Sequence, residues 1–397
     1  MSAAAFVLAA TEGRRARAEG LLAAEPEIEG DPWARLVLGR GWEGDANERG
    51  GPRGWAPLLY VCRSCFASPA LARELLGRGA DPNATFRNEH GEMSALYGAA
   101  GVLHDPELTR ILLEAGADPN DGESLYHATE AETPECIRLL LEHGAETHGT
   151  NALAHALDGD RLENVRLLLE AGADANEGAL VAHAVRRGRG PEFLRLLAEH
   201  GADLDRPGGE TWRGNVPLRT PYQHAILRGR MDSAEALAEL GASTDLDPTD
   251  AAVAAVARGE RPASSLPREP DPDAQEVLIL SALRGRLELV VELVGSNFRG
   301  VVGGSPPGTL VQHAAWLGDP RVVAELLRRG ADPGIDSSSA LAWAVHGSRY
   351  NRASGTDHVA VAEALVSEGT SVEPRFLDEA DGPLHDWLAA QPESSEA

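Results

Sequence analysis

Lysine is absent from this chain of 397 residues, and all 36 basic residues are arginine. That absence excludes Schiff-base chemistry, a phosphate-loop lysine and a Ser-Lys nucleophile pair. It also excludes acetylation or tagging at lysine. Isoleucine is scarce as well, at six positions. Both shortages favour a GC-rich genome, whose codons disfavour Lys and Ile, and a bacterial source is the expectation. Cysteine occurs three times, at Cys62, Cys65 and Cys136, too few for a disulfide framework. No apolar run reaches the ~18 residues that a membrane span needs. Neither a Gly-x-Gly-x-x-Gly following a strand nor a Gly-x-Ser-x-Gly is present. The usual signatures of nucleotide binding and serine hydrolysis are therefore missing.

Positive charge is also in short supply. Against 62 acidic residues, the 36 arginines leave a net charge of −26. Such a surface repels phosphate backbones, so nucleic acid is a poor partner and a basic protein a better one. Solubility alone would also favour this charge. The start, from Met1 to Ala10, is apolar before Glu12 and the arginines, the reverse of a signal peptide's order. The expected location is cytoplasmic, with no membrane association.

What the chain has in abundance is one phrase, repeated: leucines, Glu, then Gly-Ala-Asp, often Pro-Asn. Leu112 to Asn120 and Leu167 to Asn176 are full copies. Its glycine returns at Gly79, Gly116, Gly144, Gly172, Gly201, Gly241 and Gly330, with first gaps of 37, 28, 28, 29 and 40 residues. Such a period signals stacked units rather than one globular core. The leucines make the apolar face of a helix, and the glycine takes the left-handed turn that ends it. Asp105-Pro106, Ser68-Pro69, Thr133-Pro134 and Asp319-Pro320 place a capping oxygen before a proline at the helix start. Upstream of each long helix lies a shorter Leu-x-x-Ala helix, as at Leu96 to Ala99, Leu125 to Ala128, Leu153 to Ala156 and Leu341 to Ala344.

Helix, tight turn, longer helix and loop, in that order, resemble the ankyrin repeat. The Gly-Ala-Asp-Pro-Asn copies match that family's closing motif, and Thr220-Pro221-Tyr222 best matches its Thr-Pro-Leu-His opening. The resemblance runs from about residue 54 to 372. It implies an all-α solenoid of stacked helix-turn-helix units, roughly ten repeats, some divergent. The openings depart from the pattern: Tyr97, Tyr126, Ala154, Ala182, Gln223 and Gln312 stand at the family's histidine position. The hydrogen bonds of that opening are thus not assured.

The expected organisation is a divergent N-terminal helical cap over 1–53 and a main array over 54–248. A degenerate repeat and proline-rich connector (Pro262, Pro267, Pro270, Pro272) would follow over 249–272. Further repeats would occupy 273–372, then a cap and frayed tail over 373–397. The connector could divide the array into two stacks.

Three loops are longer than their neighbours require: Asn83 to Ser94, Asp203 to Thr220, and Ser296 to Thr309. Loop insertions in repeat arrays gather on the binding face. Candidate partner-binding residues are therefore Arg87, Asn88 and His90 in the first, Trp212, Arg213 and Arg219 in the second, and Phe298 and Arg299 in the third. Aromatic residues beside arginines have the composition of interface hot spots. The plainer reading is that these loops fold down over exposed apolar ends. The histidines at 127, 155, 183, 224 and 313 share one repeat position, and neighbouring layers roughly 8–10 Å apart are too distant for shared metal ligation. Cys62-Arg63-Ser64-Cys65 reads as structural, with no second pair to make a zinc knuckle. No cofactor or metal is implied. The expected function is a non-catalytic scaffold, too acidic for nucleic acid, that binds another protein through its loops and concave face as a monomer. The rival is an enzyme with a pocket between the long loops, using His90 and Glu89 for proton transfer.

Overall fold

The computed structural model describes residues 2–89, 91–209, 218–302, 306–334, 339–351 and 355–391. The chain divides into two compact units, Met1–Asp203 and Leu204–Ala397. Both are built almost wholly of helix pairs, as the repeated phrase requires.

In unit 1 the pair Ser2–Thr11 and Arg15–Ala24 comes first, followed by the short helix Pro32–Val37. Five further pairs follow: Pro57–Arg63 with Pro69–Gly77, Tyr97–Val102 with Pro106–Glu114, and Ser124–Ala128 with Glu135–Glu142. Ala152–Asp158 with Leu162–Glu170 and Leu180–Arg187 with Pro191–Glu199 complete the unit. Residues three or four apart in each second helix are fully buried, for example Leu108 with Leu112 and Val165 with Leu168. The glycine ending each copy has φ between +79° and +93°, at Gly79, Gly116, Gly144, Gly172, Gly201, Gly241 and Gly330. Any residue with a Cβ would be strained there.

Side-chain caps form at Ser68, Asp105 and Asp319, each accepting a backbone N–H of the first turn. Thr133 differs from expectation: Glu135–Glu142 starts without a side-chain cap, and the hydroxyl bonds the Glu135 carboxylate instead.

Polar side chains at the start of the first helices hold their openings. Thr220 with Gln223, and Thr309 with Gln312, form reciprocal capping boxes, and Gln223 Nε2 also donates to the Asp245 carbonyl at 3.1 Å. In unit 1 Ser94 Oγ accepts the Tyr97 N–H at 2.8 Å and donates to Asp121, which also accepts from Ser124 Oγ at 2.6 Å. One carboxylate thereby ties two successive openings together.

A ladder of asparagines links the turns of unit 1. Asn47 donates to the Gly79 carbonyl and accepts from the Asp81 N–H, both at 2.8 Å. Asn83 repeats this with Gly116 and Asp118, Asn120 with Gly144 and Glu146, and Asn176 with Gly201 and Asp203. His148 occupies the corresponding position before Gly172, and there the step is missing: its ring instead lies 4.0 Å from Glu177.

Unit 2 pairs Pro221–Leu227 with Met231–Glu239, then places Pro248–Arg258 without a second helix. Pro272–Ser281 with Leu287–Val294, Leu310–Leu317 with Pro320–Arg328, and Ala340–Tyr350 with His358–Ser367 continue the pattern. Arg375–Glu379 and Gly382–Ala389 follow. The proline-rich stretch does not interrupt the core: Val253 and Val256 before it share one apolar cluster with Ala274 and Leu278 after it.

Candidate functional site

The hairpin within the first long loop pairs Thr85–Arg87 with Glu92–Ser94. Alternation sends Phe86 inward against Trp55, ring centres 4.2 Å apart, and leaves Arg87 exposed beside Asn88 and Glu89. The Arg63 guanidinium lies 5.7 Å from the Phe86 ring centre and 5.4 Å from that of Tyr97. From Tyr97 the first helices carry the contact onward. Tyr97 meets His127 at 5.2 Å, His127 meets Tyr126 at 4.9 Å, and Tyr126 meets His155 edge-on at 4.0 Å. All four rings are half-buried, so each offers a face or edge to solvent.

Carboxylates one helical turn beyond the histidines hold this stripe. Glu130 accepts from His127 Nδ1 at 2.8 Å and lies 3.3 Å from His155 Nε2. Asp158 bonds His183 Nε2 and Arg187 Nε, both at 2.7 Å. Burial lowers the basicity of His155 and His183 below the ordinary histidine value, outweighing the nearby carboxylates. Both imidazoles are therefore neutral at pH 7 and add no positive charge beside Glu130, whereas Asp158 is already paired with Arg187. The result is a prearranged aromatic and acidic surface whose side chains are already fixed by their neighbours, which lowers the ordering cost of binding.

The loop residues chosen from sequence fare differently. Arg87, Asn88 and Arg299 are exposed. His90, Trp212 and Arg213 lie outside the described residues. Arg219 must be corrected: it is 2% exposed, with Nε 2.6 Å from Asp250 and Nη2 2.6 Å from Asp271. Burial works against its charge, yet the bonds it donates to Asp250 and Asp271 hold its pKa above the arginine norm. It is an internal clamp and has no surface to offer a partner. Phe298 is likewise only half-exposed and packs on the apolar cluster of unit 2, as the plainer reading of the loops anticipated.

Sequence reasoning treated the histidine column as packing and missed Tyr126, Glu130 and Asp158 as parts of a surface. The available signal was the acid three residues after His127 and His155, on the same helical face. His224 and His313 do serve internal bonding, to the carbonyls of Gly208 at 2.8 Å and Gly300 at 3.2 Å. Among the described residues no cluster of three potential metal ligands exists. Cys62 and Cys136 are buried, and burial raises both thiols, Cys136 to about 11. No helix among the described residues is long and apolar enough to cross a membrane.

Unit 2 carries a cavity of about 680 Å³ on its own first-helix face. Leu283, Trp316, Leu317 and Trp343 are among its walls, with Arg375 and Glu379 at the edge.

Residues 96–179 match the family model for ankyrin repeats, in three copies. None of the curated proteins matches the chain. Among solved structures, the human ASB11 ankyrin repeat domain is 21% identical, covering 59% of this chain and 96% of that domain, with a TM-score of 0.40. An ankyrin repeat domain from Acinetobacter baumannii is 26% identical over 47% of this chain and 98% of its own, with a TM-score of 0.40. The ankyrin repeat domain of Bcl-3 is 25% identical over 59% and 97%, with a TM-score of 0.38.

Proposed function

We propose that this ankyrin-repeat chain is a non-catalytic scaffold that binds another protein along the first-helix face of unit 1. The observation that carries this reading is the continuous stripe from Phe86 through Arg63, Tyr97, His127, Tyr126 and His155. Aromatic rings locked by their neighbours make good interface anchors, because little rotamer freedom is lost on contact. Glu130 along the stripe, together with a net charge of −26, suits a partner that brings basic side chains. Arg87 and Asn88 on the exposed hairpin would touch the same partner at its edge, and Trp212, Arg213 and Arg299 remain candidates on the other long loops. Three free thiols suit a reducing compartment, so the cytoplasm is our placement. Glu89 stands exposed at the hairpin, which does not favour the proton-transfer alternative.

The test is capture of partners from host lysate with the tagged full chain, beside a Tyr126→Ala/His155→Ala variant of unchanged melting behaviour. A stoichiometric partner retained by the wild type and lost by the variant is the expected result. A partner held equally by both would move the binding surface away from the stripe. No partner for either would overturn the scaffold reading.

A further inference from the structure

We infer that the cavity in unit 2 is a binding site for a small, flat aromatic cation. This does not depend on the protein-binding reading of unit 1, and either can fail alone. The cavity holds about 680 Å³, within the range of roughly 300–1,000 Å³ typical of small-molecule sites. It draws its walls from the first helices of successive units, with Val302 and Pro306 flanking it from the third long loop.

The aromatic walls are fixed in place. Trp343 meets the His313 ring edge-on at 5.0 Å, and His313 Nε2 is bonded to the Gly300 carbonyl at 3.2 Å. Gly308, in the short strand Gly308–Thr309, packs against the Trp343 ring. A Cβ there would come within 2.6 Å of the Trp343 ring, so only glycine lets the strand lie this close. With Trp316, Leu283 and Leu317 the cavity presents flat apolar surfaces that need no rearrangement before a ring enters.

Charge selects the ligand's sign. Buried His313 is kept neutral, since burial lowers its basicity. At the edge, Arg375 is engaged by Glu373 at 2.8 Å, whereas Glu379 makes no ion pair among the described residues. The unbalanced edge charge is therefore negative, in a chain of net charge −26. Indole faces attract cations more strongly than other aromatic side chains do. An aromatic cation would stack on Trp316 and Trp343 and turn its charge towards Glu379. A carboxylate in the same place would meet repulsion.

Three probes of one shape test this by calorimetry on the full chain: 2-naphthylmethylammonium, 2-naphthalenemethanol and 2-naphthoate. The ammonium should bind about tenfold more tightly than the carboxylate, with the alcohol between them. Glu379→Gln should narrow that gap to about threefold and leave the alcohol's affinity unchanged. Ala342→Trp, which fills the cavity from its wall, should abolish binding of all three. His346→Arg adds a positive charge at an exposed position on the cavity wall, where folding is not at stake. It should weaken the ammonium and strengthen the carboxylate. No saturable binding of any probe would overturn the inference. So would equal affinity for all three, or a charge preference untouched by both Glu379→Gln and His346→Arg.

Discussion

Replacing Arg219 with alanine should be among the most damaging single changes to unit 2. The guanidinium is 2% exposed and joins three aspartates that lie 31 to 54 residues further along the chain. Asp250 takes two bonds at 2.6 and 2.8 Å, Asp271 one at 2.6 Å, and Asp273 stands 3.7 Å away. Asp271 also caps Pro272–Ser281, so the clamp fixes where that helix begins. Removing one partner of a buried ion pair costs about 3–5 kcal/mol, because the remaining charge is left buried without compensation. Arg268, 3.4 Å from Asp271, and Arg228, 3.8 Å from Asp273, soften the loss, which places it near the lower bound. About 3 kcal/mol in a unit of this size corresponds to a fall of about 6–12 °C in melting midpoint. Urea denaturation, with hydrogen exchange followed at Pro248–Arg258 and Pro272–Ser281, would measure it. The pH dependence has a definite sign. In the wild type burial pushes the Asp271 carboxyl up, but the Arg219 bonds pull it below the ordinary value, so its stabilisation is present above that value and lost in acid. In the variant the orphaned carboxylates are raised, so their penalty vanishes as they protonate. The deficit should therefore shrink from pH 7 to pH ~4.5. A loss below about 1 kcal/mol, or one equal at both pH values, would refute the argument.

Other outcomes can be checked on the same protein. His155, His183 and His313 have lowered folded pKa values, so the unfolded chain binds protons more readily; the melting midpoint should be flat above pH ~7 and fall below the reference value of 6.5. A midpoint that rises on acidification through that range would contradict their burial as neutral rings. Among the thiols, half-buried Cys65 should react first with a disulfide reagent, while Cys62 and Cys136 wait for unfolding. Three equally fast thiols in the native protein would show that the helices carrying Cys62 and Cys136 open readily. His148→Asn should restore the missing step of the asparagine ladder and raise stability by about 1 kcal/mol in urea titration; no gain would mean the turns before and after it are out of register. Gly98→Ala should cost about 1–3 kcal/mol, since the new methyl would lie 2.6 Å from the Cys62 carbonyl oxygen. Gly77→Ala, also helical but with nothing within 4 Å, is its control and should cost nothing or stabilise slightly.

The repeat was legible because its signals are local. A glycine at a fixed offset from a leucine pair needs no knowledge of what lies elsewhere. The capping boxes of Thr220 with Gln223 and Thr309 with Gln312 carry an equally local signal, three residues apart. Yet the sequence reading marks both glutamines only as departures from the histidine pattern and leaves the bonds unassured. What stayed hidden depends on distant residues arriving together. Arg219, next to an aromatic-bearing loop, has the local look of an interface residue, and only the convergence of Asp250, Asp271 and Asp273 makes it internal. Phe298 was misjudged likewise, because the apolar surface beneath it comes from other segments. The stripe of unit 1 fell between these cases. Its histidine spacing was visible, but whether the rings faced solvent was not.

The asparagine ladder gives the array a direction. Every amide reaches from the end of one copy to the turn of the next, from Asn47 to Gly79, from Asn83 to Gly116, from Asn120 to Gly144 and from Asn176 to Gly201. The segment that repeats in the sequence and the segment that is fastened in space are consequently out of phase. A block excised between two glycine turns carries its own amide but leaves behind the carbonyl which that amide grips. Grafting such a block elsewhere works only where the recipient supplies a Gly-Ala-Asp turn downstream. Exchanges made within the long helices keep each amide and its turn on their proper sides, so the helices, and not the turns, are the natural seams for recombining this protein.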